Sequence, residues 1–329
     1  MKERDRPVAE ISIIIVSYNT REHLEPCLVS IEDCGAGAET VVVDNGSEDG
    51  SAQLVRHRFP DVRLITGRGN LGFAGGCNAG AAAASGDVLL FLNSDCRIRA
   101  GAVEALGRYL HRHPEAAAAA GRLVDEGGET QAGFNVRRLP TAGSIAADLL
   151  LLHRWFPGNR FSAGYRMAGF DHGRAVEVEQ PAGACLMIRR EVFDELGGFD
   201  PAFHPAWFED VDLCRRLRDS GGRIFFVPGA VFEHVGGATM RRLDFKRFTA
   251  MYYRNQAVYL KKHFNPVSRL CIRTLIVAGM GLRALLALCT PVRLEGPVGR
   301  AGRREAAGAF LAVIPRTIFG WPVNGGLDE

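Results

Sequence analysis

Short apolar runs alternate with amphipathic segments along the first part of the chain. Runs this short and this apolar are typical of strands that are buried on both faces of a parallel sheet. Segments with apolar residues at helical spacing predict helices at 21–34 and from about 76 to 84. We therefore expect a β-α-β-α-β-α-β order, the pattern of an α/β, doubly wound, mostly parallel sheet with helices on both faces. The predicted strands are 11–16, 40–43, 62–65 and 88–92.

Beyond residue 100 the periodicity is less even. An amphipathic segment predicts a helix over 101–113, which Pro114 ends, and another helix is expected to begin close to Asp210. Glycine, arginine and proline interrupt the pattern between 126 and 179, and we expect this stretch to pass over the substrate side of the sheet. The other predicted elements are a strand or buried segment at 116–124, a strand at 181–190, a short helix at 191–200 and a strand at 223–227.

After Arg241 the chain changes character. Aromatic and apolar residues are interleaved with lysine and arginine up to residue 264, which predicts a basic amphipathic helix. The segment 270–292 is mostly apolar but carries Arg273 and Arg283, and a charge at the bilayer centre costs about 2.5–3.5 kcal/mol on insertion scales. We therefore expect a helical extension that lies in the membrane interface rather than spanning the bilayer. Packing of these helices against the preceding domain, or against a second subunit in a homodimer, is the alternative.

Composition narrows the class of protein. The chain has 329 residues, 47% of them hydrophobic, and we expect one large domain over 1–238 and the helical extension over 239–329. Its eight cysteines form no C-x-x-C pair, which favours reduced thiols over a zinc site or disulfides. A net charge of +3 gives no reason to expect nucleic acid as a partner. Residues 1–10 lack the apolar core of a signal peptide, so we expect a cytoplasmic protein with peripheral contact to the inner face of the cytoplasmic membrane.

Polar side chains follow two of the predicted strands at the point where each one ends. Asp95 follows the central strand 88–92, and Asp44 follows the strand 40–43. In open α/β sheets the ligand crevice lies outside the carboxyl ends of the strands. Asp95 is therefore a candidate ligand for a hard divalent cation and its phosphates, and Asp44 is a candidate hydrogen-bond acceptor for a base or ribose. A polar turn at Asp95 and an Asx turn at Asp44 are the alternatives.

Three further motifs carry weaker signals. Glycines between 67 and 80 look like a phosphate cradle at a helix N-terminus, but their spacing matches neither a P-loop nor a dinucleotide fingerprint. Glu209, Asp210 and Asp212 stand at a predicted helix start, where acidic residues also serve simply to complement the helix dipole. His234 follows a strand-like segment in a glycine-bounded loop, and an isolated histidine is more often an ordinary polar residue than a metal ligand.

Taken in order, these motifs resemble glycosyltransferase family 2, the inverting GT-A enzymes that use nucleotide sugars. The rhamnosyltransferase-like bacterial branch, which builds cell-surface polysaccharides, is the most similar. One motif alone would be weak support, whereas the ordered set spans residues 11 to about 238. The motifs are Ile-Val-Ser-Tyr-Asn (15–19), Val-Asp-Asn-Gly-Ser (43–47), Asn-Leu-Gly-Phe-Ala-Gly-Gly-Cys-Asn (70–78), Leu-Asn-Ser-Asp (92–95), Gly-Gly-Phe-Asp (197–200), Phe-Glu-Asp-Val-Asp-Leu-Cys (208–214) and His234.

The resemblance implies a donor site and a metal site. Asp95 corresponds to the last residue of the family's D-x-D motif, which implies a divalent cation, Mg²⁺ or Mn²⁺, with His234 as the second protein ligand. The first position of that motif is Asn93 instead of a carboxylate, which leaves the metal with fewer charged ligands. The residues expected to bind the nucleotide sugar are Ser17, Asn19, Asp44, Asn78, Asn93, Asp95 and Gly183.

The resemblance also implies the reaction. Asp210 corresponds to the general base, Glu209 to a residue that orients the base or the acceptor, and Trp207 to a platform that stacks on an acceptor sugar. A sugar, rhamnose or another hexose, is then expected to move from a nucleoside-diphosphate sugar to a glycan or polyprenyl-linked acceptor. A sugar nucleotidyltransferase is one alternative, but it would need a glycine-rich basic loop directly after the first strand. A sugar-nucleotide-binding or scaffold protein without turnover is the other.

Overall fold

The computed structural model describes residues 10–34, 37–236, 244–289, 294–296 and 299–321. The chain divides into two compact units. The first contains Met1–Leu139, Arg166–Pro205 and Glu209–Gly236, and the second contains Pro140–Tyr165, Ala206–Phe208 and Gly237–Glu329. Three parts of the sequence analysis lie outside the described residues. They are the expected boundary between 238 and 239, residues 1–9 of the charged N-terminal segment, and Arg241. The division into domains at residue 238 stays a prediction.

A mixed, mostly parallel sheet forms the centre of the first unit. Its strands and two short flanking strands are β1 Ile11–Ser17, β2 Glu39–Asp44, β3 Arg63–Ile65, β4 Val88–Asn93, β5 Cys96–Ile98, β6 Ala116–Val124, β7 Val136–Arg137, β8 Val176–Val178, β9 Gln180–Pro181, β10 Cys185–Arg189 and β11 Arg223–His234. The order across the sheet is β3-β2-β1-β4-β10-β6-β11-β5. The first four strands in this order are parallel, β10 is antiparallel to both of its neighbours, and β11 is parallel to β6. Short β5 pairs antiparallel with β11, as β8 does, and β7 pairs with β9.

Helices cover both faces of this sheet. Those of the first unit are α1 Arg21–Cys34, α2 Ser51–Arg58, α3 Gly72–Ala83, α4 Ala102–Arg112, α8 Arg190–Glu195 and α9 Glu209–Asp219. Ile13 and Leu90 belong to one buried apolar cluster, which includes side chains of α1 and α4. Ile14 and Phe91 belong to a second, which includes side chains of α3 and α9. Because successive strand side chains point to opposite faces, the apolar runs supply two cores at once. The predicted doubly wound, helix-covered sheet is confirmed.

Some predicted elements have the predicted bounds, and others differ. The helix at 21–34 and the strand at 116–124 match α1 and β6. Helix α3 begins at Gly72, earlier than predicted, so Gly76 lies inside the helix rather than in a phosphate-binding loop. A Cβ at Gly76 would lie 2.8 Å from Val16 Cγ1. The absence of a side chain at this position therefore allows α3 to pack closely on β1. The predicted strand at 223–227 continues to His234 through an irregularity between Val227 and Val231.

The second unit is helical. Its helices are α5 Ala142–Leu149, α6 Leu152–Trp155, α7 Arg160–Tyr165, α10 Phe245–His263, α11 Pro266–Cys289 and α12 Arg303–Phe319, with a short hairpin of β12 Leu294–Gly296 and β13 Gly299–Ala301. Apolar residues of α5, α10, α11 and α12 share one buried cluster. The expected basic helix corresponds to α10 and the expected apolar helix to α11. Helix α12 lies in the expected helical extension, although it was not predicted as a separate helix.

Arg273 and Arg283 of α11 are engaged inside this unit. Arg273 donates to the backbone oxygens of Thr317 (2.7 Å) and Ile318 (3.0 Å), near the end of α12. Arg283 donates to the backbone oxygen of Asp148 (2.8 Å) and to that of Leu149, at the end of α5. Cations at helix C-termini complement the helix dipole, so both charges have structural partners. Within the described part of the chain, α11 is the helix whose length and apolar composition would suffice to cross a membrane.

Candidate active site

The carboxyl ends of three neighbouring parallel strands meet at one edge of the sheet. Ser17 of β1 pairs in register with Asp44 of β2, and Val16 pairs with Asn93 at the end of β4. Strand pairing therefore brings three of the expected donor-binding residues, Ser17, Asp44 and Asn93, to the same edge. This is where a ligand crevice is expected in an open α/β sheet.

Asp44 is buried, and its two carboxylate oxygens differ in their surroundings. One accepts a hydrogen bond from the backbone N–H of Ser47 at 3.1 Å. The other oxygen, and the side-chain oxygen of the adjacent Asn45, are buried without a partner among the residues that the structure describes. A buried acceptor left unpaired costs about 1–3 kcal/mol, so these two atoms are candidate contacts for the donor groups of a ligand.

Ser17 and Asn19 organise the loops beside Asp44. The Ser17 hydroxyl is fully buried and shares a hydrogen bond of 2.9 Å with the Thr20 hydroxyl. Asn19, with φ of 53°, donates its backbone N–H to Ser47 Oγ (2.9 Å) and accepts from the backbone N–H of Glu48 on its side-chain oxygen (2.8 Å). Both side chains are thus engaged within the protein, which supports the pocket wall. Direct contact of either with a nucleoside stays a prediction.

Asn78 has a clear structural partner. Its side-chain amide donates to the backbone oxygen of Phe199 at 2.7 Å and accepts from the backbone N–H of Phe199 at 2.9 Å. These bonds fix α3 to the turn that contains Gly198, where a Cβ would lie 2.7 Å from the Asn78 side-chain oxygen. Its expected contact with the ribose or diphosphate stays a prediction, because both polar atoms of the amide are already paired.

Asp95 and His234 lie together after the end of β4. Asp95 stands in the turn between β4 and β5, and β5 aligns Cys96 with His234 of β11. His234 Nε2 is 3.4 Å from Asp95 Oδ1, and both side chains are buried. Burial lowers the pKa of His234, against the opposing charge of Asp95, so the neutral ring is favoured. The two residues whose pairing the family resemblance implied are therefore neighbours, although they are far apart in sequence.

The donor set of this pair suits a divalent cation. Asp95 offers a carboxylate and His234 a neutral imidazole, both of which are ligands for Mn²⁺-type metals. Cys96 also lies within this cluster, but its thiol donates to the backbone oxygen of Ala184 at 3.5 Å. Burial, and then the Asp95 charge, raise the pKa of Cys96 well above its ordinary value, so it stays a thiol. Among the described residues, Asp95 and His234 are therefore the side chains at this position that could hold a divalent cation.

Asp210 is held at the start of α9 by backbone groups. Its carboxylate accepts from the N–H of Gly183 at 3.0 Å and from its neighbour Val211 at 2.8 Å, and the Gln180 amide lies 3.4 Å away. Burial raises the pKa of Asp210, and these N–H groups and the Arg137 guanidinium oppose that shift. Gly183 is needed for this arrangement, because a Cβ there would lie 2.8 Å from Asp210 Cβ. In the structure, Gly183 contacts and positions Asp210.

The other two acids of this motif differ from Asp210. Glu209 is buried, and one of its carboxylate oxygens has no partner among the described residues. Burial, followed by the neighbouring Asp210 charge, raises the pKa of Glu209 well above its ordinary value. Asp212 accepts from Arg216 Nε at 2.8 Å, and the same guanidinium donates to the backbone oxygens of Leu196 and Gly198. Asp212 therefore anchors α9.

Trp207, the expected acceptor platform, belongs to the second unit. Its ring packs edge-on against Phe248 of α10, with 5.0 Å between ring centroids. Its backbone oxygen accepts from the Asn255 amide at 3.3 Å, and its φ of 77° is in the left-handed region. Contact with an acceptor sugar stays a prediction.

Two polar residues at the site, Gln131 and Arg137, come from the segment 126–179, whose pattern was interrupted, and a third, Gln180, directly follows it. Gln131 contacts His234 through both of its amide atoms, Arg137 acts on Asp210 electrostatically, and Gln180 lies beside Asp210. The sequence carried no periodicity or motif at these positions that would have singled them out. Their positions depend on the pairing of β7 with β9 and on the return of the chain beside β6.

Comparison with known proteins places the chain among sugar-transferring enzymes. The family Glycosyl transferase family 2 matches residues 12–197, and Glycosyl transferase family group 2 matches residues 162–321. An N-acetylglucosaminyl-diphospho-decaprenol L-rhamnosyltransferase of Mycobacterium tuberculosis is 28% identical over 86% of this chain and 94% of its own length. A pre-mycofactocin glycosyltransferase of the same organism is 27% identical over 93% of this chain and 60% of its own.

Two solved structures share the fold. The mannosyltransferase PcManGT from Pyrobaculum calidifontis, in complex with GDP-Man and Mn²⁺, aligns with a TM-score of 0.53 at 16% identity, over 96% of this chain and 82% of that one. GalNAc-T7 with UDP, GalNAc and Mn²⁺ aligns with a TM-score of 0.52 at 18% identity, over 70% of this chain and 44% of that one. The fold and family expected from the motifs are confirmed, and the nucleotidyltransferase alternative is set aside. The chain is a glycosyltransferase of the GT-A fold and belongs to glycosyl transferase family 2.

Proposed function

We propose that this glycosyltransferase moves rhamnose or another hexose from a nucleoside-diphosphate sugar to a lipid-linked acceptor, with inversion at the anomeric carbon. The observation that carries the proposal is the buried Asp95–His234 pair. Asp95 follows the end of β4, at the same edge of the sheet as Ser17 and Asp44. The sugar and the acceptor are supported by the mycobacterial relative, whose name specifies rhamnosyl transfer to a decaprenol-linked diphosphate and which is matched over 94% of its length.

The nucleoside end of the donor binds at the ends of β1 and β2. The unpaired oxygens of Asp44 and Asn45 are both acceptors, so they suit the N–H groups of a base or the hydroxyl groups of a ribose. Ser17 and Asn19 keep the surrounding loops in position through their bonds to Thr20, Ser47 and Glu48. A nucleoside seated there has its diphosphate directed along the edge toward Asn93 and Asp95.

The diphosphate end of the donor binds at Asp95 and His234. These residues would hold Mg²⁺ or Mn²⁺, which as a Lewis acid neutralises charge on the departing diphosphate. Because the first position of the acidic motif is Asn93, Asp95 is the one carboxylate of that motif available to the cation. Metal and diphosphate are therefore expected to bind together better than the metal binds alone.

Asp210 acts as the general base. It removes the proton from the acceptor hydroxyl while that oxygen bonds to the anomeric carbon and the bond from this carbon to the diphosphate oxygen breaks on the opposite face. Such base catalysis contributes about 10²–10⁴-fold. The backbone donors at 2.8 and 3.0 Å support this role, because they fix the carboxylate without protonating it. Glu209 lies next to the base, where its raised pKa favours the neutral acid.

We also propose that the second unit attaches the enzyme peripherally to the inner face of the cytoplasmic membrane. Apolar side chains of α11 and α12 are exposed, including Val267, Leu270, Leu285 and Phe319. Lys261 and Lys262 at the end of α10 are also exposed, and each basic side chain near anionic lipid contributes about 1 kcal/mol. A lipid-linked acceptor would be available to an enzyme held at this surface.

The experiment that tests the proposed function measures release of nucleoside diphosphate from a panel of UDP-, dTDP- and GDP-sugars, with Mg²⁺ or Mn²⁺ and with a polyprenyl-diphosphate-linked sugar as acceptor. We expect one donor to be consumed, with metal and acceptor both required for full rate. Asp210→Asn should lower transfer by about 10²–10⁴-fold while donor binding, measured by thermal shift, is kept.

Three outcomes would contradict parts of this proposal. Near-normal turnover by Asp210→Asn would remove Asp210 from the role of base. Retention of the anomeric configuration, read by NMR of the product, would exclude single-step inversion. Donor binding without turnover for every acceptor tried would favour the sugar-nucleotide-binding or scaffold alternative.

A further inference from the structure

Gln131 makes two hydrogen bonds to a residue that lies 103 positions later in the chain. Its side-chain nitrogen donates to the backbone oxygen of His234 at 2.7 Å. Its side-chain oxygen lies 2.9 Å from His234 Nδ1. The backbone of Gln131 is itself fixed, because its N–H donates to the backbone oxygen of Leu123 in β6 at 3.0 Å. One glutamine thus connects the end of β11 to the chain that returns beside β6.

These two bonds determine which ring nitrogen of His234 carries the proton. A backbone oxygen only accepts hydrogen bonds, so the Gln131 atom facing it must be the amide nitrogen. The atom facing Nδ1 is then the amide oxygen, which also only accepts. Nδ1 must therefore be the protonated nitrogen, which leaves the lone pair of the neutral ring on Nε2.

The lone pair on Nε2 faces Asp95. Nε2 and Asp95 Oδ1 are 3.4 Å apart, and in this tautomer both atoms are acceptors. Two acceptor atoms this close together can bind one cation jointly, so the arrangement suits metal binding. The ring is held in this direction because Phe134 stacks on it, with 5.4 Å between centroids and 8° between planes. Backbone pairing adds to this, since the N–H of Val235 donates to the backbone oxygen of Asp95 at 3.1 Å.

We propose that Gln131 is a positioning residue that holds His234 as the Nδ1–H tautomer, so that Nε2 is presented with Asp95 to a divalent cation. The inference rests on the proposed metal role of Asp95 and His234. Partners of this kind fix the tautomer and orientation of a ligand histidine, and their loss typically costs 10–100-fold in metal affinity. Gln131 itself need not touch the metal or the substrate.

The first test measures Mn²⁺ affinity of the full-length protein without any nucleotide, from the electron paramagnetic resonance signal of the free ion. We expect Gln131→Leu to weaken Mn²⁺ binding by about 10–100-fold. Gln131→Asn, which stays polar but is one methylene shorter, should also weaken it. Gln131→Glu keeps an acceptor for Nδ1–H but removes the donor to the His234 backbone oxygen, so its affinity should lie between those of the wild type and Gln131→Leu. The matched control is Gln53→Leu, the same change at an exposed position of α2, which should leave the affinity unchanged.

The second test reads the tautomer directly and needs no metal. In protein labelled with ¹⁵N-histidine, the resonances of His234, identified by their loss in His234→Gln, should show a protonated Nδ1 and an unprotonated Nε2. Gln131→Leu should shift this ring toward the other tautomer or toward exchange between the two. Gln131→Glu should keep the wild-type pattern.

The results separate the inference from the proposed function. A wild-type His234 protonated at Nε2, equal Mn²⁺ affinity in Gln131→Leu and wild type, or absence of Mn²⁺ binding by the wild type would each overturn the inference. If instead the tautomer and the Mn²⁺ affinity respond as expected but no donor sugar is transferred, the positioning role of Gln131 stands and the proposed reaction is the part that fails.

Discussion

Two adjacent acids at the start of α9 have opposite hydrogen-bonding environments. Asp210 accepts from the N–H groups of Gly183 and Val211, whereas Glu209 is buried with an oxygen that no described residue satisfies. Hydrogen bonds to a carboxylate favour its charged form, and burial disfavours it. Burial raises the pKa of both acids, and the N–H groups at Asp210 oppose that shift, so Asp210 keeps its charged form more readily than Glu209 does. The same dipeptide thus supplies two carboxyl groups with different protonation behaviour.

Gly183→Ala tests how strictly Asp210 is positioned. The new Cβ would lie 2.8 Å from Asp210 Cβ, so the carboxylate must move. Since misplacement of about 1 Å can cost about 10²-fold in rate, we expect kcat to fall by roughly 10- to 100-fold with little change in donor affinity. Steady-state kinetics and a thermal-shift titration with donor measure the two quantities. Gly229→Ala is the control, because nothing lies within 4 Å of a Cβ there, and a similar loss of kcat in both variants would argue against positioning.

Glu209→Gln tests the ionisation of the second acid through the pH dependence of stability. The pKa of Glu209 is raised in the folded protein, so the folded state keeps its proton at pH values where the unfolded state has lost it. The wild type should therefore lose stability, through this group, as pH rises above the ordinary glutamate pKa of about 4.5 and until the raised pKa is passed. The variant lacks this term, so its unfolding free energy relative to the wild type should increase over that window. Urea unfolding at a series of pH values measures the difference, and a constant difference would contradict the raised pKa.

At the scale of elements, the sequence correctly predicted the helices and strands whose local pattern of apolar residues agrees with their packing in the fold. The apolar run at 88–92 and the helical spacing at 21–34 needed no other part of the chain for their interpretation. The predicted start of α3 was wrong because glycine has low helix propensity, which argued against a helix that begins at Gly72. The close packing of Gly76 against Val16 outweighs that low propensity. Strand ends identified Asp44 and Asp95, since the end of a strand is itself a sequence signal. Gln131, Arg137 and Gln180 had no such signal, because they reach the site only through long-range pairing.

Substitution by alanine should change the unfolding free energy in opposite directions at Gly76 of α3 and Gly308 of α12. At Gly76 the added methyl group meets Val16 at 2.8 Å, and we expect a loss of about 1–3 kcal/mol in the unfolding free energy. At Gly308, inside α12, nothing lies within 4 Å of a Cβ, and the higher helix propensity of alanine should add about 0.5–1 kcal/mol. Denaturant unfolding measures both changes. If Gly76→Ala were stabilising as well, α3 would not be packed on β1 as described.

At the scale of the whole molecule, the chain combines a sheet-based catalytic unit with a helical unit that buries its own core. The two arginines that argued against a membrane span are bound to backbone oxygens at helix ends, so within the protein they are compensated charges. Two apolar side chains of α11 remain exposed: Leu270 exposes 65% of its surface and Leu285 exposes 59%. Exposed leucines on α11 and exposed lysines at the end of α10 suit the headgroup region of an anionic bilayer.

Peripheral attachment predicts binding to lipid vesicles that depends on their charge. The full-length protein should sediment with vesicles that contain phosphatidylglycerol more than with pure phosphatidylcholine, and added salt should reduce the bound fraction. Leu270→Ser and Leu285→Ser together should reduce binding, because they remove exposed apolar surface. Val176→Ser, at an exposed position of β8 in the first unit, is the control. Equal recovery in the supernatant with both lipids, at low salt, would count against membrane attachment.

The place of β11 in the sheet has a consequence for the order in which the protein can form. β11 lies between β6 and β5 and is the strand that carries His234, yet β5 is synthesised more than a hundred residues earlier. During translation, β5 and the adjacent Asp95 must therefore wait for nearly all of the first unit to leave the ribosome. Contacts of such long sequence separation also slow folding, because the intervening chain must be ordered first. A nascent chain that stops short of β11 would contain Asp95 but not His234, so the pair that we propose as the metal site forms late in synthesis.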